Sequence, residues 1–460
     1  MAKLIAGGTV VTAAGRCVAD VRIEGAQVTA IGASLRAPGD AVIDAEGCYV
    51  LPGAIDPHTH IELPTGNGGY NADTWFSGTV AAAFGGTTTV IDMITQERGA
   101  PLHAALADWQ SRARPHAVVD YGFHMGIIDP RPEVLAEIPE LVRTGVPSFK
   151  LYLGYKGRLM LSDADLFTTM RAIGRAGGLT LVHAENGDVI DTLVAEAVAN
   201  GDTTPRHHAL TRPAATEAEA TARACHLARL AETPLYVVHV TCREALEEIA
   251  RARRHGQHVL AETCTHYLLF TADDLARPHF EGARWVLSPP LRKDADRLAL
   301  WGALGNGLAV VASDHCPWTL AQKAQGRERF DRIPNGAPGV EERLPFLYTY
   351  GVAQGGITLE ELVALTATNP ARIFGLYPRK GTIAPGSDAD VVVWDPGARR
   401  TWSAAHHRCG SDNTPYEGMA VTGAVRHLLV RGRSVIHDGE LTAPAGCGIF
   451  LERGTGHALR

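Results

Sequence analysis

The stretch Gly53-Ala54-Ile55-Asp56-Pro57-His58-Thr59-His60 decides how the rest of the chain is read. It is a short apolar strand that runs into two histidines one residue apart. Side chains two apart on a strand point to the same side, so His58 and His60 can reach a common point. On the N-terminal side, residues 1 to about 50 are short strands punctuated by turns. Leu4–Val11 precedes Ala13-Ala14-Gly15, Val18–Ile23 precedes Glu24-Gly25, Val28–Ile31 precedes Gly32, and Ala41–Val50 closes the set. No helix of any length fits there.

On the C-terminal side the rhythm changes. Apolar strand candidates recur at Gly53–Asp56, Thr88–Asp92, Val118–His124, Ser148–Leu153, Leu179–His183, Leu235–His239, His258–Ala261 and Ala309–Ser313. Amphipathic stretches such as Asp73–Phe84, Ala215–Ala231 and Arg243–His255 lie between them. Eight βα units are what an α/β fold of the (β/α)8 TIM-barrel type requires. After Asn369–Gly375 strands return at Ala389–Trp394, Val421–Val430 and Ser434–Ile436. The expected organisation is a barrel over residues 51–378. The two β-rich ends, 1–50 and 379–460, meet in one small β-sandwich.

Composition narrows the function. The chain has 460 residues, 45% hydrophobic and 20% charged, with a formal net charge of -7. No basic run stands out, which argues against nucleic acid as the main partner. No apolar stretch approaches a membrane span, and Met1–Val11 reads as a strand, not as a signal peptide. The cysteines (Cys17, Cys48, Cys225, Cys242, Cys264, Cys316, Cys409, Cys447) form no CxxC pair. Scattered thiols fit a reducing, cytoplasmic setting.

Active sites of such barrels sit at the C-terminal ends of the strands. There the sequence places His58 and His60 on strand one, Lys150 in strand four, His183 on strand five, His239 on strand six and Asp314 on strand eight. Any one of these histidines alone reads as a polar rim residue. Four of them with an aspartate, spread over several strand ends, read as ligands of zinc or a neighbouring metal. Lys150 lies between apolar neighbours, where burial and nearby cations lower the pKa of an amine. A neutral amine can take up carbon dioxide as a carbamate, an anionic bidentate ligand. A lysine that snorkels to solvent or pairs with a carboxylate fits the same residues, and the local sequence leaves both open.

Longer matches now come into view. They include Pro52–His60, Ala82-Ala83-Phe84-Gly85-Gly86-Thr87-Thr88, Asp120-Tyr121-Gly122-Phe123-His124 and Ser148-Phe149-Lys150. Others are His183-Ala184-Glu185-Asn186, Leu287-Ser288-Pro289-Pro290-Leu291-Arg292, Ser313-Asp314-His315-Cys316 and Ile333–Glu341. In these the chain resembles, from end to end, the hydantoinase/dihydropyrimidinase branch of the amidohydrolase superfamily.

The resemblance implies two divalent ions, taken as zinc. His58, His60, carbamylated Lys150 (N6-carboxylysine) and Asp314 would hold one. Lys150, His183 and His239 would hold the other, with a hydroxide between ions about 3.5–4 Å apart. It makes Tyr155 the donor to the developing oxyanion, and Ser288 and Asn335 the positions whose backbone groups bind the ring amide. Asp314 would carry the proton to the leaving nitrogen. A packing tyrosine, a turn serine before Pro289-Pro290 and an Asn-Gly turn are the plain alternatives at these three positions. The implied partner is a small cyclic amide, opened to an N-carbamoyl amino acid, and the implied assembly is a homodimer or homotetramer.

Within the superfamily, dihydroorotases carry an arginine just after His-x-His, where this chain has Ile61-Glu62-Leu63. Allantoinases lack the tyrosine matched by Tyr155, and mononuclear deaminases lack the lysine. Non-catalytic collapsin-response scaffolds have lost ligands that are all present here. The glycine-rich loop Glu62–Asn71 and the segment Gly154–Leu161 are expected to wall the pocket, with Leu63 and Leu159 facing the ring substituent.

Overall fold

A computed structural model describes residues 2–65 and 68–456. Gly66 and Asn67, within the glycine-rich loop, lie outside the described residues, as do Met1 and residues 457–460. No helix among the described residues is long and apolar enough to cross a membrane.

Eight parallel strands follow one another in chain order. They are Ala54–Thr59, Thr87–Thr95, Asp120–Gly126, Ser148–Tyr152, Leu179–His183, Leu235–Val237, Val259–Cys264 and Val310–Ala312. Every one overlaps a strand read from the sequence. The eighth meets the first through a parallel bridge between Thr59 and His315, and His60 N–H donates to the His315 carbonyl at 2.8 Å. Arg343, fully buried, clasps the same seam: its guanidinium donates to the carbonyls of Ile55 (3.0 Å) and Val311 (3.1 Å).

Helices between the strands begin where the side chains can cap them. Thr74 and Ser77 form a reciprocal capping box ahead of Trp75–Phe84. Ser162 caps Asp163–Arg175, and Asn186 caps Gly187–Ala199. The Asn186 cap starts a helix three residues after strand five ends at His183. It thereby limits how far that strand end can move.

The chain ends build a second, mixed sheet of nine strands. Glu440–Leu441, Arg433–His437, Ala420–Val430 and Val391–Thr401 lead to Tyr49–Pro52, then to Lys3–Thr12, Gly15–Glu24 and Gln27–Gly32, with Ala41–Asp44 beside Lys3–Thr12. Tyr49–Pro52 joins the two halves, pairing parallel with Lys3–Thr12 and antiparallel with Val391–Thr401. Ile5, Val21, Val28 and Val50 from one end share a core with Val391, Val393 and Leu429 from the other. The same strand passes straight into the barrel through Gly53, where a Cβ would sit 2.1 Å from the Thr88 hydroxyl. Only glycine fits that crossing.

The C-terminal tail returns to the barrel. Ile449 and Leu451 bracket Tyr121 by backbone hydrogen bonds, and the Arg453 guanidinium donates to Ser148 Oγ at 2.8 Å and to the Phe123 carbonyl. Sheet and barrel are also joined by a buried ion cluster. Lys380 Nζ lies 2.9 Å from Asp120 Oδ2 and 2.5 Å from Asp390 Oδ2, and Arg431 Nε lies 3.0 Å from Asp120 Oδ2. Removing one partner of a buried pair strands the other charge. Lys380→Met is therefore expected to cost about 3–5 kcal/mol of stability, read as a lowered midpoint in denaturant unfolding. A midpoint equal to that of the parent would remove the cluster from the forces that hold sheet to barrel.

Candidate metal centre and substrate cleft

The six residues singled out at the strand ends converge on one rim. His58 Nε2 and His60 Nε2 each lie 3.2 Å from the same atom, Asp314 Oδ1. His183 Nδ1 lies 3.0 Å from His239 Nε2, and the ring centroids of His58 and His239 are 5.4 Å apart. Ligand atoms of His58, His239 and Asp314 all lie within 4.8 Å of one another. Lys150 is buried in strand four, hydrogen-bonded as backbone beside Leu181 of strand five.

Two strands end earlier than their apolar runs suggest. Strand six stops at Val237 and strand eight at Ala312, so His239 and Asp314 stand just beyond them. Both residues adopt left-handed backbone, with φ of +39° and +47°, and Tyr155 does so at +63°. Such conformations cost energy in non-glycine residues and persist where the surroundings demand them. Here the turn out of the strand is what aims each side chain back over the barrel mouth.

Burial governs the charges. It pushes the Asp314 carboxyl upward, but His58 and His60 outweigh it and hold the group well below the usual carboxylate range. Burial lowers His60 and His183, and lowers His239 further, which favours the neutral imidazole that can offer a lone pair. Burial also pulls the Lys150 amine down to about 8, against the fields of Asp314 and Glu262.

Two carboxylates that the sequence reading passed over set the histidine tautomers. Glu262, on strand seven, lies 2.5 Å from His58 Nδ1 and accepts from the Tyr236 hydroxyl at 2.8 Å. Glu185 lies 2.9 Å from His183 Nε2. With each carboxylate accepting the N–H of its imidazole, the lone pair of a neutral ring falls on His58 Nε2 and on His183 Nδ1, the atoms that face the centre. The signal for Glu262 was present: an acidic residue inside the apolar stretch Val259–Cys264. Glu185 stood inside a quoted motif but carried no role.

This arrangement fits a metal. A lone pair on His58 Nε2 faces an Asp314 oxygen at 3.2 Å, and two acceptors repel unless a cation or a proton lies between them. Ligand bonds of about 2.0–2.1 Å in a tetrahedral site put neighbouring donor atoms roughly 3.3 Å apart.

A cleft of about 200 Å³ opens beside the cluster, lined among others by Tyr155, Glu185, Arg212 and Asn335. The Tyr155 ring lies tilted against that of His183, with centroids 4.7 Å apart, and its side chain interacts with Ser288. Burial pushes that phenol far up, so it remains a protonated donor. Asn335 Nδ2 donates to Ser288 Oγ at 3.0 Å, and Trp318 Nε1 donates to the Asn335 carbonyl at 2.9 Å. The expected wall residues fare differently. Among the described residues the lining of this cleft includes Lys156, Ile190 and Phe330 but neither Leu63 nor Leu159. Leu63 is held back by Asn71, whose side chain accepts from its N–H at 3.1 Å.

A parallel (β/α)8 barrel whose histidines, lysine and aspartate meet at the C-terminal rim places the molecule among barrel proteins built around a metal centre. The amidohydrolase family matches residues 49–435, and the chain belongs to that family. It is 46% identical to a D-hydantoinase of Geobacillus stearothermophilus, over 100% of this chain and 98% of that one. It is 47% identical to a D-hydantoinase of Ralstonia pickettii, with 98% of each chain covered. The crystal structure of dihydropyrimidinase from Brevibacillus agri superposes with a TM-score of 0.97 at 47% identity, covering 99% of both chains.

The Glu262 carboxylate supports His58 from behind, so Glu262→Gln is expected to weaken divalent-cation binding by about 10–100-fold. Chelator competition measures this directly. Unchanged affinity would show that the barrel wall alone orients the imidazole.

Proposed function

We propose that the chain hydrolyses the ring amide of hydantoins or dihydropyrimidines, giving N-carbamoyl amino acids. The convergence of four imidazoles, Asp314 and Lys150 beside the Tyr155 cleft carries this reading. The barrel, taken as residues 51–378, does the chemistry, and the sheet of residues 1–50 and 379–460 supports it. His58, His60, Lys150 and Asp314 hold one divalent ion, and Lys150, His183 and His239 the other, with Lys150 carbamylated and zinc as the metal. When bound, the ions supply Lewis acidity and make water nucleophilic at neutral pH.

The residues of the chain do the remaining work. Ser288 and Asn335 hold the ring amide at the cleft wall. The Tyr155 hydroxyl donates to the carbonyl oxygen as it gains negative charge, where a fixed donor counts most. Asp314 accepts the proton released when water adds to the ring carbonyl. It then delivers that proton to the ring nitrogen as the carbon–nitrogen bond breaks. Water is added across one bond, and no redox partner is needed. The names of the D-hydantoinase and D-phenylhydantoinase relatives support hydantoins of D configuration as substrates of this chain, and the same family reading carries a homodimer or homotetramer.

Elemental analysis of the purified protein is expected to give about two divalent ions per chain. Chelation should abolish formation of N-carbamoyl product, and activity that survives complete chelation would sink the reading. Tyr155→Phe is expected to lower kcat by about 10²–10³ with little change in KM. Single-enantiomer phenylhydantoins, compared with dihydrouracil, measure the configuration and ring preference.

A further inference from the structure

Lys323 is a buried cation that the proposed reaction does not use. It ends the short helix Leu320–Lys323, and its side chain is 1% exposed. Its Nζ donates to three backbone carbonyls: Val286 at 3.0 Å, Pro334 at 3.1 Å and Gly336 at 2.7 Å. An ammonium has three protons and no lone pair, so three acceptors satisfy it completely. A neutral amine would leave one carbonyl facing a lone pair. Burial works against the charge, pulling the group down to about 7, and the three carbonyl dipoles oppose that pull. The carbonyl dipoles are thus what holds the cation in place.

The three carbonyls belong to the segments around Ser288 and Asn335, the latter of which lines the cleft. Val286 stands two residues before Ser288, and Pro334 and Gly336 flank Asn335. The segments are cross-linked again by Gly336 N–H to the Val286 carbonyl at 3.0 Å, and by the Asn335–Ser288 side-chain bond. Gly336 lies at φ +128° with the Cys316 carbonyl 2.5 Å from where a Cβ would be, so this segment has no slack on its other side.

We propose that Lys323 is the positioning residue of the ring-amide subsite, a cationic clamp that fixes the backbone at Ser288 and Asn335. This rests on the assignment of Ser288 and Asn335 to the substrate. The Lys323 ammonium itself makes no hydrogen bond to a metal ligand or to Tyr155 and reaches the latter only through the Ser288 segment, so its loss should act chiefly on binding.

The test compares Lys323→Met, which removes all three donors, with Lys323→Gln, which keeps two on a shorter stem. KM for dihydrouracil and hydantoin is expected to rise in the order Lys, Gln, Met. The Met variant should show a rise of about tenfold or more, with kcat within about threefold and metal content unchanged. Folded variants with parental KM overturn the proposal. So does a parallel fall of kcat and metal content, which marks a merely structural role. If neither variant folds, the lysine is a folding element and the subsite role is likewise overturned. A crystal structure with bound hydantoin separates the two assignments. A ring amide away from the Ser288 and Asn335 backbone defeats the substrate assignment itself, whereas a ring amide on that backbone beside parental KM in the Lys323 variants defeats only the clamp.

Discussion

The organising contact is the one between Asp314 and the imidazoles of His58 and His60. A carboxylate oxygen is held 3.2 Å from two buried nitrogens, in surroundings too dry to tolerate uncompensated charge. That contact requires the first and eighth strands to meet, and the barrel closes there. The Thr59–His315 bridge and the buried Arg343 across Ile55 and Val311 serve the same seam. Closing the barrel and assembling the centre are one structural event.

From the seam outward, polar groups are supported in layers. Glu262 and Glu185 hold the imidazoles from behind, Tyr236 supports Glu262, and the Asn186 cap pins the turn that carries Glu185. On the cleft side Trp318, Asn335 and Ser288 form a linked set, and Trp318 is braced from the far end of the chain. Ser411 Oγ and Asn413 Nδ2 donate to its carbonyl at 2.9 and 2.8 Å. His315, next to Asp314, lies 2.6 Å from Asp73, which also accepts from Gly410 N–H. Gly410, Ser411 and Asn413 thus brace the rim from near the end of the chain without any chemistry of their own.

Much of this was legible in order of occurrence. Eight apolar strands, their spacing, and His58, His60, Lys150, His183, His239 and Asp314 near their ends are local facts, because strand periodicity and strand length are properties of short segments. Strand ends were less legible. The runs Leu235–His239 and Ala309–Ser313 give no sign that the backbone turns left-handed at His239 and Asp314, since that turn is imposed by what packs around it. The pocket wall was legible in part. Gly154, Tyr155 and Lys156 of the expected segment Gly154–Leu161 line the cleft, whereas Leu63 and Leu159 do not, and Ile190 and Phe330, far off in sequence, are brought to it by helix and loop packing.

The amino-acid order alone determined the eight-unit barrel, the flanking strands, the family resemblance and which side chains could serve as ligands. Tertiary structure decided which nitrogen of His58 faces the centre, because Glu262 comes from strand seven to sit behind that ring. It decided too that three carbonyls from two distant segments share the Lys323 ammonium. Hydrogen bonds and buried charges are settled between groups tens to hundreds of residues apart, and only the folded chain brings their dipoles within reach of one another.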